Sequence, residues 1–548
     1  MIKTNYISVR GLMPSYTNSF IMCMVFFLIP VLSIAQLKHD YVWAIGYNDN
    51  PEGSPPGFWL AESLLSFHSN PPDTIRLQTF NTRGRANTMS MANSKGEVIF
   101  YSNGCSLFDA EGNKVPGGEE LVFGPRFNRQ CRNTILPTYS NWDASTIALP
   151  MDSNDSLFYV LFHRREVNRE ADGFENPLGV VSFELYKTKV VLDGNDGYVA
   201  KDRTLIFRQN MGNGNFAAVR DTQLHHWWII IPPDYHLNNY EIIRLGPYGV
   251  DTILTQYFFY EGLPFEGGFV YNSGSAVFSP DGSMYARWIA EDEQGIMLWD
   301  FDREKGRLSN FRYLPHPDGD NFVFHESNSG GISFSPSGRF LYVNTMFNLY
   351  QYDLWEQDIE ASMVHIAEFN GYLDSSTNFL NPVIFGFSRL APNCKIYIVP
   401  RTTTRYLHVI KHPDRKGLAC DFRQQALPTP GKNRTGLPYH PNYRLDSDYP
   451  WCDSTITTTT WFIPDEAEPG IYLYPNPASK YTVVGWSDIK PVEIALYDMS
   501  GRQVYSSRMQ HGLPEYYLDL SGYSAGVYLV KVRDRSGGVG VERLILSY

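Results

Sequence analysis

Hydrophobic positions along this chain come in short runs, each closed by Gly, Pro, Asn or Asp, and no long helical stripe interrupts them. Such punctuation predicts an all-β protein. Between 37 and 445 the pattern has a period. Short aromatic strands centre on Trp43, Tyr101, Tyr159, Trp227, Tyr285, Leu341 and Tyr397, at intervals of 58, 58, 68, 58, 56 and 56 residues. Three turns repeat as well: Phe278-Ser279-Pro280-Asp281-Gly282, Phe334-Ser335-Pro336-Ser337-Gly338 and Leu390-Ala391-Pro392-Asn393-Cys394, with prolines 56 apart. One small antiparallel sheet cannot bury both its faces, so units of this size stack around an axis, and the repeat predicts a β-propeller. Seven anchors predict seven blades, closed by chain ends that meet in one blade. The long interval from Tyr159 to Trp227 leaves six or eight blades open, and a pair of β-sandwiches is the alternative architecture.

Both ends of the chain differ from this middle. Lys3 and Arg10 precede an apolar run from Phe20 to Ile34, interrupted by Pro30 and followed by small residues at Ser33 and Ala35. The run is short for a membrane span and reads as a secretory signal over 1–35, with Gln36 opening the mature chain and Met13 as a second possible start. Cys23 lies inside the run, away from the cleavage point, which argues against a lipid anchor. No other apolar segment reaches spanning length, so no transmembrane segment is expected in the mature chain. The stretch 446–470, with the hydroxyl run Thr455–Thr460 and the acidic, Pro-bounded Pro464–Pro469, has linker composition. Beyond it, 471–548 reads as a small separate β domain whose hairpin turn falls at Asp498–Gly501.

That terminal domain carries four ordered motifs. They are Tyr474-Pro475-Asn476-Pro477-Ala478, then Asp498 to Gly501 within a strand–turn–strand, then Gly526 and Tyr528 in Ala525-Gly-Val-Tyr-Leu-Val, and finally Arg543 in the closing strand. Together they resemble the type A C-terminal sorting domain of type IX secretion cargo in Bacteroidota. The resemblance implies an Ig-like β-sandwich over 471–548, read by the type IX machinery and removed by its sorting-domain peptidase, and hence a protein that is extracellular or attached to the cell surface. A single basic residue, Arg543, stands where relatives often carry a pair. The middle region is similar to the propeller-like ectodomain found ahead of such tails, through Glu97–Gly104 with Asp109 and Gly112, through Phe216–Arg220 with His226-Trp227-Trp228, and through His412-Pro413, Ala419–Phe422 and Thr435–Pro438. That family supplies a fold and a location but no reaction.

Composition sharpens the functional reading. Aromatic residues make up 15% of the chain, enough to fill the spaces between blades, and a net charge of −12 without basic clusters argues against a nucleic-acid partner. Five cysteines follow the signal with no zinc or redox spacing; Cys105–Cys131 and Cys394–Cys420 are the expected pairs, leaving Cys452 odd, and five buried thiols are equally compatible with the sequence. His225 and His226 are strand neighbours facing opposite ways and cannot readily share a metal. Asp193–Gly197 and Asp318–Asn321 read as polar turns, lacking the distant Glu of an EF-hand. Ser279–Gly282 reads as a turn, and Arg164, Arg165 and Arg169 as a solvated loop. Trp355, Tyr350 and Tyr352 are candidate ligand platforms. No nucleophile elbow, zincin helix or phosphate loop is present, so neither catalytic residues nor a cofactor or metal are assigned. The expected function is binding or adhesion toward an extracellular protein or glycan. The alternative is a polysaccharide-acting enzyme with paired carboxylates in the propeller funnel.

Overall fold

The short apolar runs form antiparallel sheets, each built from strands adjacent in sequence. The structure, a computed structural model, describes residues 37–46, 62–77, 89–132, 146–167, 180–194, 197–209, 216–232, 239–258, 274–289, 295–319, 330–374, 380–433, 436–447, 452, 471–474, 476, 478, 480–486, 491–498, 501–509, 515–534 and 539–546. The signal reading over 1–35, Gln36 and most of the linker, 453–470, lie outside the described residues.

Seven sheets follow one another in chain order. The first holds β1 (Val42–Ile45), β2 (Glu62–Ser66) and β3 (Asp73–Leu77), and the second β4 (Met89–Ala92), β5 (Val98–Ser102) and β6 (Leu107–Asp109). The third is β7 (Thr146–Pro150), β8 (Leu157–Val167), β9 (Val180–Leu192) and β10 (Tyr198–Gln209). The fourth is β11 (Ala217–Arg220), β12 (Trp227–Ile231), β13 (Asn239–Gly246) and β14 (Gly249–Tyr257). The fifth is β15 (Gly274–Phe278), β16 (Met284–Ile289), β17 (Ile296–Asp302) and β18 (Arg307–Leu314). The sixth is β19 (Ile332–Phe334), β20 (Phe340–Asn344), β21 (Asn348–Asp353) and β22 (Val364–Glu368), followed by the small hairpin β23 (Leu373–Asp374) and β24 (Asn381–Pro382). The seventh is β25 (Phe385–Leu390), β26 (Ile396–Pro400), β27 (Thr404–Ile410) and β28 (Phe422–Asn433). The irregular interval after Tyr159 has a plain cause: β8, β9 and β10 run 11, 13 and 12 residues, so the third sheet is the largest.

Each of the seven anchors is buried to within 2% exposure, and from the second sheet onward each lies on the second strand of its sheet. Ring N–H and O–H groups carry these aromatics across to neighbouring sheets. Trp227 Nε1 donates to Pro150 O at 3.2 Å, Trp228 Nε1 to Arg303 O at 2.7 Å, Trp288 Nε1 to Asn344 O at 3.3 Å, and Tyr342 Oη to Pro413 O at 2.8 Å. Burial of rings this large contributes about 2–3 kcal/mol each. The last sheet returns to the first, where Gly431 N–H donates to Ser63 Oγ at 2.8 Å and Lys395 Nζ to Asn70 Oδ1 at 2.7 Å.

The turn from first to second strand is also repeated, more widely than the sequence motif. Its left-handed residue is Gly96 (φ 89°), Asp155 (56°), His225 (61°), Gly282 (71°), Gly338 (74°) and Cys394 (61°) in sheets two to seven. Only Gly adopts that conformation without a steric cost, and Asp and Asn come next. At Gly282 a Cβ would also sit 2.7 Å from Arg303 Cδ. Three of the six positions carry other residues, which hides half of the repeat from the sequence.

Among the described residues the first sheet has three strands and no counterpart of the first strand of sheets two to seven. β1 lies antiparallel beside β4, with Ala92 N–H donating to His39 O at 3.1 Å and Ser90 Oγ to Val42 O at 2.8 Å, and it carries the Trp43 anchor. It is therefore the counterpart of the second strands elsewhere. The chain end covers the space it leaves. Tyr443 Oη donates to Ala148 O at 2.9 Å, Asn442 Nδ2 to Pro280 O at 2.6 Å, Tyr439 Oη accepts from Ala218 N–H at 3.3 Å, and His440 stacks on Trp43 at 6.4 Å. Pro438 and Pro441 remove donors from this segment, so it packs without joining a ladder. Burial pushes the His440 imidazole down to about 4, so it is neutral there. The segment is held by Arg444, whose guanidinium makes a buried bidentate pair with Asp40 at 2.6 and 2.7 Å and also reaches Leu37 O at 2.9 Å. Arg303 pairs with Asp446 at 2.6 and 2.7 Å on the same stretch.

Two disulfides are present. Cys105–Cys131 is as expected, but Cys394 joins Cys452 (Cα–Cα 5.0 Å) and not Cys420. Cys420 is a buried thiol in the core of sheets six and seven, with Phe340, Tyr342 and Phe385 in the same cluster. Cys394 projects from its turn toward the returning chain end. The 58-residue link stabilises by about 4 kcal/mol on loop-closure grounds.

Arg444→Ala should lower stability by about 3–5 kcal/mol, because it strands the Asp40 carboxylate in the interior. Urea unfolding of the secreted protein checks this; an unchanged midpoint would show that the chain ends are held by something other than this pair.

Candidate functional site

Most of the chemistry-bearing residues of the seven sheets serve structure. His225 Nε2 meets Ser153 Oγ at 3.1 Å, whereas His226 turns to Leu224 O at 2.9 Å and Asp251 at 3.3 Å, so the two diverge as expected. Among the described residues no group of three His, Cys, Asp or Glu is placed to hold a metal. Asp193 N–H donates to Gly197 O at 2.9 Å in the hairpin between β9 and β10; Asn195 and Asp196 lie outside the described residues. Asp318 accepts from Tyr350 Oη at 2.7 Å and Asn348 at 3.2 Å, which is turn bracing, and Asp320 and Asn321 are again outside the description. In Ser279–Gly282 the Asp281 carboxylate takes Ser279 Oγ at 2.5 Å and Ser283 Oγ at 2.7 Å, closing the turn on itself.

Two expectations are corrected. Arg164 is not in a solvated loop: it lies in β8, pairs with Glu184 at 2.5 Å, donates to Phe123 O at 3.1 Å and covers the Phe123 ring at 4.5 Å. Glu184 is desolvated by burial, yet Arg164, Tyr186 and Arg208 together hold its carboxyl below the usual range. The side chain of Arg165 and all of Arg169 lie outside the described residues. Of the three proposed aromatic platforms, Tyr350 and Tyr352 are core residues, 8% and 1% exposed. Both faces of β21 are covered, so alternation leaves neither ring exposed. Only Trp355 is open, at 70%, with the Arg339 guanidinium 5.1 Å from its ring centre.

Tyr439, His440, Pro441 and Asn442 line a residual cavity of about 50 Å³ with Ala218, Ser333 and Arg389. Sequence reasoning missed this filling, and it missed a second device: carboxamides that read two backbone groups across a gap. Gln256 takes Leu308 N–H at 2.7 Å and gives to Leu308 O at 3.1 Å, joining β14 to β18. Gln351 spans Gly417 N–H and Arg415 O at 2.7 and 2.8 Å, and Gln424 spans Asn370 N–H and Glu368 O at 3.1 and 2.8 Å. No local pattern marks such residues, since an exposed Gln looks the same.

The tail uses the same device. Its strands are β29 (Ile471–Tyr474), β30 (Tyr481–Trp486), β31 (Pro491–Asp498), β32 (Gln503–Arg508), β33 (Glu515–Asp519), β34 (Gly526–Asp534) and β35 (Val539–Leu546). They form two sheets, β29-β30-β33 and β32-β31-β34-β35, around a core that includes Leu473, Ala478, Val484, Leu496, Val530 and Leu544. Asn476 Nδ2 donates to Arg543 O at 2.6 Å and its Oδ1 accepts from Ile545 N–H at 2.8 Å. Ala478 N–H then donates to Ile545 O at 2.7 Å. The first motif is thus tied to the last strand, with the Asn476 side chain standing in for a strand partner. Pro475, Pro477 and the Tyr474 side chain lie outside the described residues. Asp498 closes its turn through its own carbonyl, which accepts from Gly501 N–H at 2.9 Å, and its carboxylate takes Arg502 N–H at 3.1 Å; Gly501 is left-handed at φ 80°. Gly526 opens β34 opposite Leu546, and Tyr528 is buried with its hydroxyl on Ser524 O at 2.8 Å. Arg543 contributes its carbonyl to Asn476, and beside it burial pushes the Glu542 carboxyl above the usual range.

Residues 472–547 match the secretion system C-terminal sorting domain. The match indicates export across the outer membrane to the cell surface or extracellular space. Among the described residues no helix is long and apolar enough to cross a membrane. No curated protein matches the chain. Solved structures similar to it include a Pseudomonas aeruginosa periplasmic gluconolactonase (12% identity, 67% of this chain and 92% of that one, TM-score 0.30). A luciferin-regenerating enzyme (11%, 68% and 86%, 0.29) and the extracellular domain of a two-component system from B. thetaiotaomicron (11%, 94% and 58%, 0.29) are alike to a similar degree. Likenesses this loose carry no inference about activity.

Within the sorting domain, Asn476 is the motif residue whose chemistry the fold uses most directly. Asn476→Asp keeps the acceptor for Ile545 N–H but sets a carboxylate against Arg543 O, and should cost about 1–3 kcal/mol of tail stability. Hydrogen exchange at Ile545 checks it; unchanged protection there would show that the carboxamide does not hold the last strand.

Proposed function

We propose that the chain comprises a secretory signal over 1–35, one closed seven-bladed propeller over 36–445, a linker over 446–470 and an Ig-like sorting domain over 471–548. In this reading the type IX machinery exports it and its sorting-domain peptidase removes the tail. The propeller then acts outside the cell as a binding or adhesion module for a protein or glycan. The observation that carries the reading is the pairing of a sorting domain with a ring of sheet-to-sheet contacts whose two chain ends meet at Arg444 and Asp40. The runner-up, an enzyme acting on polysaccharide from the funnel, is disfavoured by the filled axis: a cavity of about 50 Å³ does not admit a sugar ring.

Deleting 471–548 should leave a folded protein trapped in the periplasm of a host with this secretion machine. Cell fractionation reads the outcome, and normal amounts of the truncated protein in the medium would defeat the sorting argument. The mature protein should capture specific ligands on combined glycan and protein arrays. A folded protein that captures none would count against the binding-module reading.

A further inference from the structure

A cleft of about 330 Å³ lies between the segment 117–123 and strands β9 and β10. Its walls are fixed on both sides. Ala200 N–H donates to Pro116 O at 2.8 Å, and Leu121 N–H donates to Cys105 O at 2.7 Å beside the Cys105–Cys131 disulfide. Gly117 is left-handed (φ 78°), and a Cβ there would fall 2.3 Å from Ala200 O, so the approach of the two walls demands glycine. β10 breaks register between Lys201 and Thr204, and Asp202 is left-handed at φ 57°. Such bulges re-aim side chains, and here Lys201, Asp202 and Arg203 line the cleft.

The charges in the cleft are unevenly matched. The Glu120 carboxylate is taken by Arg132, with Nε at 2.9 Å. Arg203 donates to the backbone carbonyl of Glu120 and lies 5.0 Å from the Phe123 ring centre. Among the described residues no carboxylate hydrogen-bonds its guanidinium, and the side chain is exposed. Lys201 reaches only Asp193, at 4.0 Å. Two cations, Lys201 and Arg203, therefore line a concave space together with the exposed Asp202, with Phe123 beside the Arg203 guanidinium. A planar guanidinium fixed in this way is built for an oxyanion. The volume suits one ring-sized ligand unit and is too small for a folded protein partner.

We propose that this cleft binds an acidic sugar residue of an extracellular glycan, with Arg203 holding its carboxylate or sulfate, Lys201 adding charge, and Phe123 beside the ring. The assignment rests on the binding-module reading and names its ligand class. Calorimetry on the secreted protein with an oligogalacturonate, a chondroitin sulfate and a neutral dextran tests it. The first two arms separate carboxylate from sulfate as the recognised group. Binding of at least one acidic probe, absence of dextran binding, and a loss of about tenfold or more in Arg203→Gln are expected, with Arg203→Lys intermediate. Thermal melts confirm that the variants are folded. Equal affinity in folded Arg203→Gln, binding of dextran as tight as of the acidic probes, or no binding of either acidic probe overturns the proposal. An array ligand that binds Arg203→Gln and wild type alike would remove this cleft while leaving the binding-module reading intact.

Discussion

The buried pair between Arg444 and Asp40 joins residues 404 positions apart and ties the segment after the seventh sheet to the segment before the first. A ring of sheets has no covalent closure, so the last sheet must be tied to the first by contacts made at large loop-closure cost. An ion pair removed from water stabilises only when its geometry is good and its remaining hydrogen-bonding groups are satisfied. Here both guanidinium nitrogens meet both carboxylate oxygens, and a backbone carbonyl takes a further N–H. The Cys394–Cys452 disulfide then fixes the chain beyond the pair, so the end is anchored on both sides of 448–451.

Residues 437–446 follow the seventh sheet, and Tyr439–Asn442 among them line a cavity of about 50 Å³. In the proposed propeller this segment would fill the axis, which shifts attention to the sides. The third sheet, with its overlong strands and bulged β10, is where the regular repeat is most disturbed. It is also where the cleft lined by Lys201 and Arg203 occurs. Local departures of this kind are expected at functional sites, because a repeat under packing constraint alone has no reason to deviate.

Much of this was legible in the sequence. The aromatic anchors stood out because each must bury a large ring at an equivalent place, and all seven do. The tail motifs were legible because left-handed turns and short strands leave a signature, as at Gly501. The rest was hidden for physical reasons. Asp155, His225 and Cys394 occupy the same left-handed turn position as Gly282, so identity is lost where conformation is kept. Tyr350 and Tyr352 looked like surface aromatics because nothing in the local pattern says that both faces of their strand are covered. Cys420 and Cys452 could not be ranked as partners of Cys394 without knowing that the chain end returns past the seventh sheet. Carboxamides such as Gln256, Gln351 and Asn476 act through backbone groups distant in sequence and carry no motif.

If the chain ends close the ring, the first sheet, the seventh sheet and residues 437–446 must open together with the rest. Native-state hydrogen exchange on the secreted protein measures this directly. The account predicts that amides of β1, β28 and their neighbours in 437–446 exchange with the same opening free energy as β16 and β20, in one cooperative unit. Early exchange of β1 and 437–446 while sheets three to six stay protected would contradict it.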